Sequence, residues 1–199
     1  MQDTLGEGVA PAIGDISDSI GDDGYFTGGT SVASDVAEMF LMQLGGDLTV
    51  AWDSLNSTEV YRYLAAHIYY RGVQDRAQEV VAYDHSYMAA EIVNTLKGGF
   101  EEGTRVMVGH DGDLDALAVL FGLEWVTPPF PTNATTPGSA LRFDVDENDD
   151  VKLTVYYQVF DGSDTLLESD VDFTWTTEKS VSIGALEEFI SLTDDCNPT

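Results

Sequence analysis

The stretch that decides the fold runs from residue 106 to residue 145 and reads VMVGHDGDLDALAVLFGLEWVTPPFPTNATTPGSALRFDV. It opens with the apolar run 106–108, and His110-Asp111 follows one glycine later. A short apolar run bounded by turn residues is typical of a buried strand. Residues 113–121 then predict a helix, with an aspartate at its start and Gly122 after its end. The pattern is a strand, a turn and a helix, with His110-Asp111 at the carboxyl edge of the sheet, where sites gather in α/β folds.

Apolar residues recur at helical spacing in the part of the chain that precedes this stretch. The predicted helices are 31–44, 57–72 and 84–96, and glycines follow or end each of them. Residues 1–29 carry many glycines and no sustained apolar period. We therefore expect a flexible lead-in at 1–29, followed by a helical part at 30–100.

From residue 104 onward the pattern of apolar residues changes. Alternating apolar residues predict a hairpin of strands 141–145 and 152–160, a further strand at 171–176 and a closing helix at 183–192. Strands mixed with helices indicate an α/β part that spans residues 104–199 and carries the Gly-His-Asp turn.

The charge balance is strongly acidic. Asp and Glu total 36 against 8 Lys and Arg, which gives a formal net charge of −28. Such a surface repels nucleic-acid phosphates and anionic lipid, so we expect no nucleic-acid partner and no membrane partner. A solvated surface adapted to salt or to an extracellular setting explains this composition, and recruitment of a cationic partner is the alternative.

The sequence contains neither a membrane span nor a leader pattern. No apolar run approaches the roughly 20 residues that a transmembrane helix needs. The first residues have no basic start and no hydrophobic block, so no signal peptide is predicted in this chain.

Cofactor and metal motifs are also missing from the sequence. There is no GxGxxG, no phosphate-binding Walker loop, no CxxC and no HExxH, so we expect no cofactor and no metal. The acidic turn 144–150 imitates a calcium loop but has Asp149 where that loop needs glycine, and a solvated hairpin turn explains it. Asn56 and Asn133 begin glycosylation sequons, which matter only in a eukaryotic secretory host.

The three histidines are His67, His85 and His110. Taken from the residues alone, His110-Asp111 has two readings: a catalytic pair, or a helix-capping aspartate beside a surface histidine. Its place directly after a predicted buried strand favours the catalytic reading.

The longer pattern around this pair resembles the histidine acid phosphatases of the bacterial phytase and glucose-1-phosphatase group. In that family a strand ends in Gly-His-Asp, a helix follows, and an Asn-x-Thr-Pro-x-Gly-like segment leads to an outer strand. The residues that match this family pattern are Gly109-His110-Asp111, Leu114, Leu123, Trp125, Thr136-Pro137-Gly138 and Phe143. The segment SVASDVAEMFLMQL at 31–44 and the helix with His67 extend the resemblance upstream.

The resemblance implies an α/β fold, a histidine phosphatase-like sheet flanked by helices with a helical cap region, whose N-terminal part is missing from this chain. It implies that His110 binds phosphate and that Asp111 protonates the leaving alcohol. It also implies substrate-pocket roles for Glu38 and His67, where a solvent-facing glutamate and a helix-surface histidine are the alternatives.

The family's nucleophilic histidine and its phosphate-clamping arginines belong to an N-terminal RHGxRxP motif, and no Arg-His pair occurs in these 199 residues. We therefore expect the chain alone to be inactive and to need a missing N-terminal segment or partner chain. The strand with Gly-His-Asp would then have an open, apolar edge.

The implied activity is hydrolysis of a small phosphate ester, a sugar phosphate or an inositol phosphate, in a periplasmic or secreted protein. A non-catalytic acidic binding module that keeps the phosphatase fold is the alternative function. Cys196, the single cysteine, is either a free thiol or a bridge to the missing segment.

Overall fold

The computed structural model describes residues 18–20, 26–74, 76, 78–98, 103–160 and 165–193. The chain forms two compact units. The first comprises Met1–Gln74, Thr127–Ala134 and Val159–Thr165, and the second comprises Asp75–Val126, Thr135–Gln158 and Leu166–Thr199. Cys196 lies outside the described residues, so its two readings stay predictions.

The first unit contains a short strand pair and two long helices. Its elements are β1 (Asp18–Ile20), β2 (Phe26–Gly28), α1 (Gly29–Gly45), a 3-10 turn (Val50–Asp53) and α2 (Ser57–Gln74). β1 and β2 pair antiparallel, with Ser19 opposite Thr27. The sequence predicted a loop here, because three-residue strands are too short to show a side-chain period; the other residues of 1–25 lie outside the described part.

Small residues let α1 and α2 pack closely. Ala37 of α1 and Ala65 and Ala66 of α2 form a buried cluster between these helices. An Asn-Glu capping box begins α2: Asn56 Oδ1 accepts the Glu59 N–H at 3.1 Å, and the Glu59 carboxylate accepts the Asn56 N–H at 2.9 Å. Both predicted helices of this unit are confirmed.

The second unit is an antiparallel sheet with three helices. Its elements are α3 (Gln78–Lys97), α4 (Asp111–Leu120), β3 (Leu123–Trp125), β4 (Ala140–Val145), β5 (Asp150–Gln158), β6 (Leu166–Phe173), β7 (Val181–Ser182) and α5 (Ile183–Thr193). The strand order is β3-β6-β5-β4, and β7 pairs with β5. The predicted hairpin of β4 and β5 is confirmed, with Phe143 opposite Leu153.

The core of the second unit lies between the sheet and the three helices. Alternate residues of β5 are buried there, as the period of a strand requires. The largest fully buried side chains in this core are Trp125, Phe121, Leu120, Leu153 and Leu186. The α/β class predicted from the sequence is therefore confirmed.

One prediction about this unit is wrong. Residues 106–108 were expected to form a buried strand, but the described segment 103–110 has no regular secondary structure. Val106 is 79% exposed and Val108 is 96% exposed. The apolar run has the composition of a strand, but a strand also needs a neighbour for its backbone, and no described residue makes a backbone hydrogen bond with residues 106–108.

Among the described residues, no helix is both long enough and apolar enough to cross a membrane.

Candidate active site

Local hydrogen bonds between backbone N–H groups and side-chain acceptors hold the turn at His110. His110 is the N-cap residue of α4, with an extended backbone at φ −112° and ψ 164°. Its N–H donates to Asp113 Oδ2 at 2.6 Å, and its Nδ1 accepts the Gly112 N–H at 3.3 Å. The Gly112 N–H also donates to Asp111 Oδ1 at 2.8 Å. The local sequence therefore fixes both residues of the pair at the first turn of a helix.

The side chains of His110 and Asp111 lie against each other. The His110 Nδ1 atom contacts Asp111 Oδ1, and the two side chains are 82% and 25% exposed. An exposed imidazole can donate hydrogen bonds to an anion, and a neighbouring carboxyl can transfer a proton. Helix capping accounts for His110 and for Asp113, but Asp111 is not needed for the reciprocal cap.

Glu38 and His67 are brought together in the first unit. Glu38 lies on α1 and His67 on α2, and a Glu38 carboxylate oxygen lies within 4.8 Å of a His67 ring nitrogen. His67 is buried, so the alternative of a surface histidine is wrong, whereas Glu38 is exposed. This gives an exposed acid beside an oriented imidazole, an arrangement that can make polar contacts to a ligand.

Ser34 orients His67, and the sequence did not identify it as a partner of this histidine. Its Oγ lies 3.0 Å from His67 Nδ1, and both residues are buried. The signal that could have found it is the i, i+4 spacing of Ser34 and Glu38, which puts both on one face of α1.

Every basic side chain of the second unit already has an acidic partner. These residues are Arg76, Arg105, Arg142, Lys97, Lys152 and Lys179, paired with Asp115, Glu91, Asp144, Glu187, Asp170 and Asp172. A phosphate at His110 would have to compete with a carboxylate for each of them. The second unit therefore offers an imidazole and an acid to an anionic ligand, but no unpaired Lys or Arg.

The fold of the chain is similar to that of proteins of known structure. Comparisons with family models and with curated proteins gave no match. Solved structures do match over the whole chain, and they show the fold of the histidine acid phosphatases, as the resemblance implied.

Several of the matching structures are phytases. The Hafnia alvei phytase in complex with myo-inositol hexakis sulphate matches at a TM-score of 0.76 and 17% identity, covering 100% of this chain and 61% of that chain. The phytase of Klebsiella sp. ASR1 matches at 0.76 and 14%, covering 100% and 62%. The phytase of Citrobacter braakii matches at 0.72 and 19%, covering 93% and 55%.

The chain thus spans less than two thirds of the length of these phytases. At identities of 14% to 19% the likeness shows the fold, and the roles of His110, Asp111, Glu38 and His67 stay predictions.

Proposed function

We propose that this chain supplies the proton-donor half of a histidine acid phosphatase that hydrolyses phosphomonoesters of the sugar phosphate or inositol phosphate class. His110 binds the phosphate and Asp111 donates the proton. Glu38 and His67 contact the substrate. The observation that carries the proposal is the paired His110 and Asp111 at the start of α4 within a phytase fold.

The proposed reaction needs a nucleophile from outside these 199 residues. A histidine nitrogen attacks phosphorus and forms a P–N bond while the P–O ester bond breaks. The proton of Asp111 passes to the departing alkoxide oxygen, and water then cleaves the P–N bond to release phosphate.

Two features of the second unit support a complementing segment. The exposed apolar run 106–108 offers free backbone and side-chain surface to an added strand, among the residues that the structure describes. All six basic side chains of the second unit are paired with carboxylates, which favours a segment that brings its own cations to stabilise phosphoryl transfer. We expect that segment to be basic and to carry the nucleophilic histidine.

A direct test compares the purified chain alone with the chain co-expressed with an N-terminal phosphatase segment that carries Arg-His-Gly. Turnover of p-nitrophenyl phosphate at acidic pH is expected only in the second sample. In that sample Asp111→Asn should lower kcat by about 10²-fold or more, because the leaving oxygen loses its proton donor.

Asp149→Asn is the matched control, since Asp149 is an exposed hairpin residue with φ 62°, a conformation that asparagine tolerates. Hydrolysis by the chain alone that Asp111→Asn abolishes would refute the need for a complementing segment. Comparing inositol hexakisphosphate with glucose 1-phosphate as substrates then separates the two ester classes.

The alternative is a non-catalytic acidic binding module. The pairing of every basic side chain in the second unit favours it, because an anion site without an available cation binds phosphate weakly. If the complemented sample shows no phosphatase activity while circular dichroism shows an intact fold, the result would support this alternative.

A further inference from the structure

The Asp113 carboxylate joins two parts of the second unit that meet at the candidate active site. One oxygen, Oδ2, accepts the His110 backbone N–H at 2.6 Å. The other, Oδ1, lies 3.4 Å from Nδ1 of His85 on α3. The helices α3 and α4 pack against each other, so this single carboxylate ties the backbone of the His110 turn to the neighbouring helix.

Gly109 provides the space that the Asp113 side chain occupies. A Cβ atom on Gly109 would lie 2.6 Å from Asp113 Oδ2 and 3.3 Å from Asp113 Cβ. Real Cβ contacts are not this short, so any side chain at position 109 would push the carboxylate away from the His110 N–H. The glycine before His110 is therefore required by the position of Asp113.

We propose that Asp113 is a positioning residue that fixes the backbone at His110, and thereby the directions of the His110 and Asp111 side chains, with His85 anchoring its carboxylate to α3. His85 and Asp113 had no role in the proposed reaction. The catalytic consequence of this positioning rests on the proposed function, whereas the geometric consequence does not.

The geometric part is tested by amide hydrogen exchange and NMR on the full chain. Asp113→Ala removes the acceptor, and the His110 amide should then exchange about fivefold to tenfold faster. Asp113→Asn keeps a side-chain oxygen that can accept the same N–H, and it should restore most of the protection. Glu178→Ala, which removes an exposed carboxylate elsewhere in the unit, is the control and should leave the His110 amide unchanged.

Two further variants leave Asp113 itself intact. Gly109→Ala should reproduce the loss seen in Asp113→Ala, because the new methyl group displaces the carboxylate. His85→Ala removes only the second anchor and should accelerate exchange about twofold. These variants decide the question if Asp113→Ala does not fold.

The rescue by asparagine separates positioning from a general effect on helix stability. If Asp113→Ala leaves the exchange of His110 at the wild-type rate, or if Asp113→Asn is as defective as Asp113→Ala, the proposal is overturned. In the complemented phosphatase, Asp113→Ala should lower kcat about tenfold or more with a smaller change in KM, and Asp113→Asn should recover it.

The two readouts keep the two proposals apart. A complemented sample without activity would refute the proposed function, while the exchange data would still decide whether Asp113 positions the turn. Faster exchange at His110 with an unchanged kcat in an active sample would overturn the catalytic part of the inference.

Discussion

Replacing Arg76 by methionine would leave the Asp115 carboxylate buried without the guanidinium that faces it. Asp115 lies on α4 with its side chain 1% exposed, while that of Arg76 is 14% exposed. Arg76 Nε donates to Asp115 Oδ1 at 2.9 Å, and a second guanidinium nitrogen contacts the same oxygen. The guanidinium also lies 5.7 Å from the centre of the Trp125 ring. The substitution therefore removes a charge partner and a cation–π contact together.

The expected loss follows from these contacts. Removing one partner of a buried ion pair costs about 3–5 kcal/mol, because the buried carboxylate loses the guanidinium charge that faces it. Arg76 keeps some exposure, which lets water approach the pair, so we expect a value near the lower end, about 3 kcal/mol. For a chain of this size that loss lowers Tm by about 6–12 °C.

The assay is urea unfolding followed by circular dichroism and tryptophan fluorescence, with the free energy of unfolding extrapolated to water. The double variant Arg76→Met with Asp115→Leu removes both charges, and it should recover stability to within about 1 kcal/mol of the parent. Arg142→Met breaks an exposed pair and should leave the urea midpoint close to that of the parent. A loss below about 1 kcal/mol for Arg76→Met, or a double variant as unstable as the single one, would refute the reasoning.

Two further predictions concern the sheet. Gly122 has φ 59°, and a Cβ there would lie 2.6 Å from Trp175 Cδ1 and 2.7 Å from Phe189 Cζ, so Gly122→Ala should cost about 2–4 kcal/mol; an unchanged thermal melt would contradict this. The pKa of Asp146 lies below its ordinary value of 3.8, chiefly because the Asn148 backbone N–H donates to the carboxylate. A lowered folded pKa means that the stabilisation of the β4–β5 turn is complete above the ordinary value and is lost as pH falls through the folded one. In an NMR titration the chemical shift of the Asn148 amide should therefore change with a midpoint below pH 3.8. This titration should disappear in Asp146→Ala. A midpoint above pH 3.8 would show that the turn does not stabilise the charged form of Asp146.

The helices were the most predictable part of this fold. Apolar spacing located α1, α2 and α5, because a helix that buries one face has apolar residues that recur with the helical period. The hairpin of β4 and β5 followed from alternation in the same way. The strands β1, β2, β3 and β7 were missed, since two or three residues are too few to show a period.

The residues proposed for the candidate site came from the sequence, whereas the side chains that support them did not. The His110-Asp111 pair stands out in the sequence because it follows an apolar run and begins a helix. The contact of His85 with Asp113 joins positions 28 residues apart, and no local sequence pattern predicts it. The hydrogen bond from Ser34 to the buried His67 spans 33 residues and was equally hidden.

The sequence alone established the long helices, the β4–β5 hairpin, the position of the His110-Asp111 turn and the acidic composition, because these depend on local side-chain period and on composition. Only the tertiary structure decided that Val106 and Val108 are exposed, that His67 is buried, and that Asp113 reaches both His85 and the His110 N–H. Burial and pairing depend on which distant segments meet, and the run at 106–108 has the composition of a buried strand without a described neighbour to bury it.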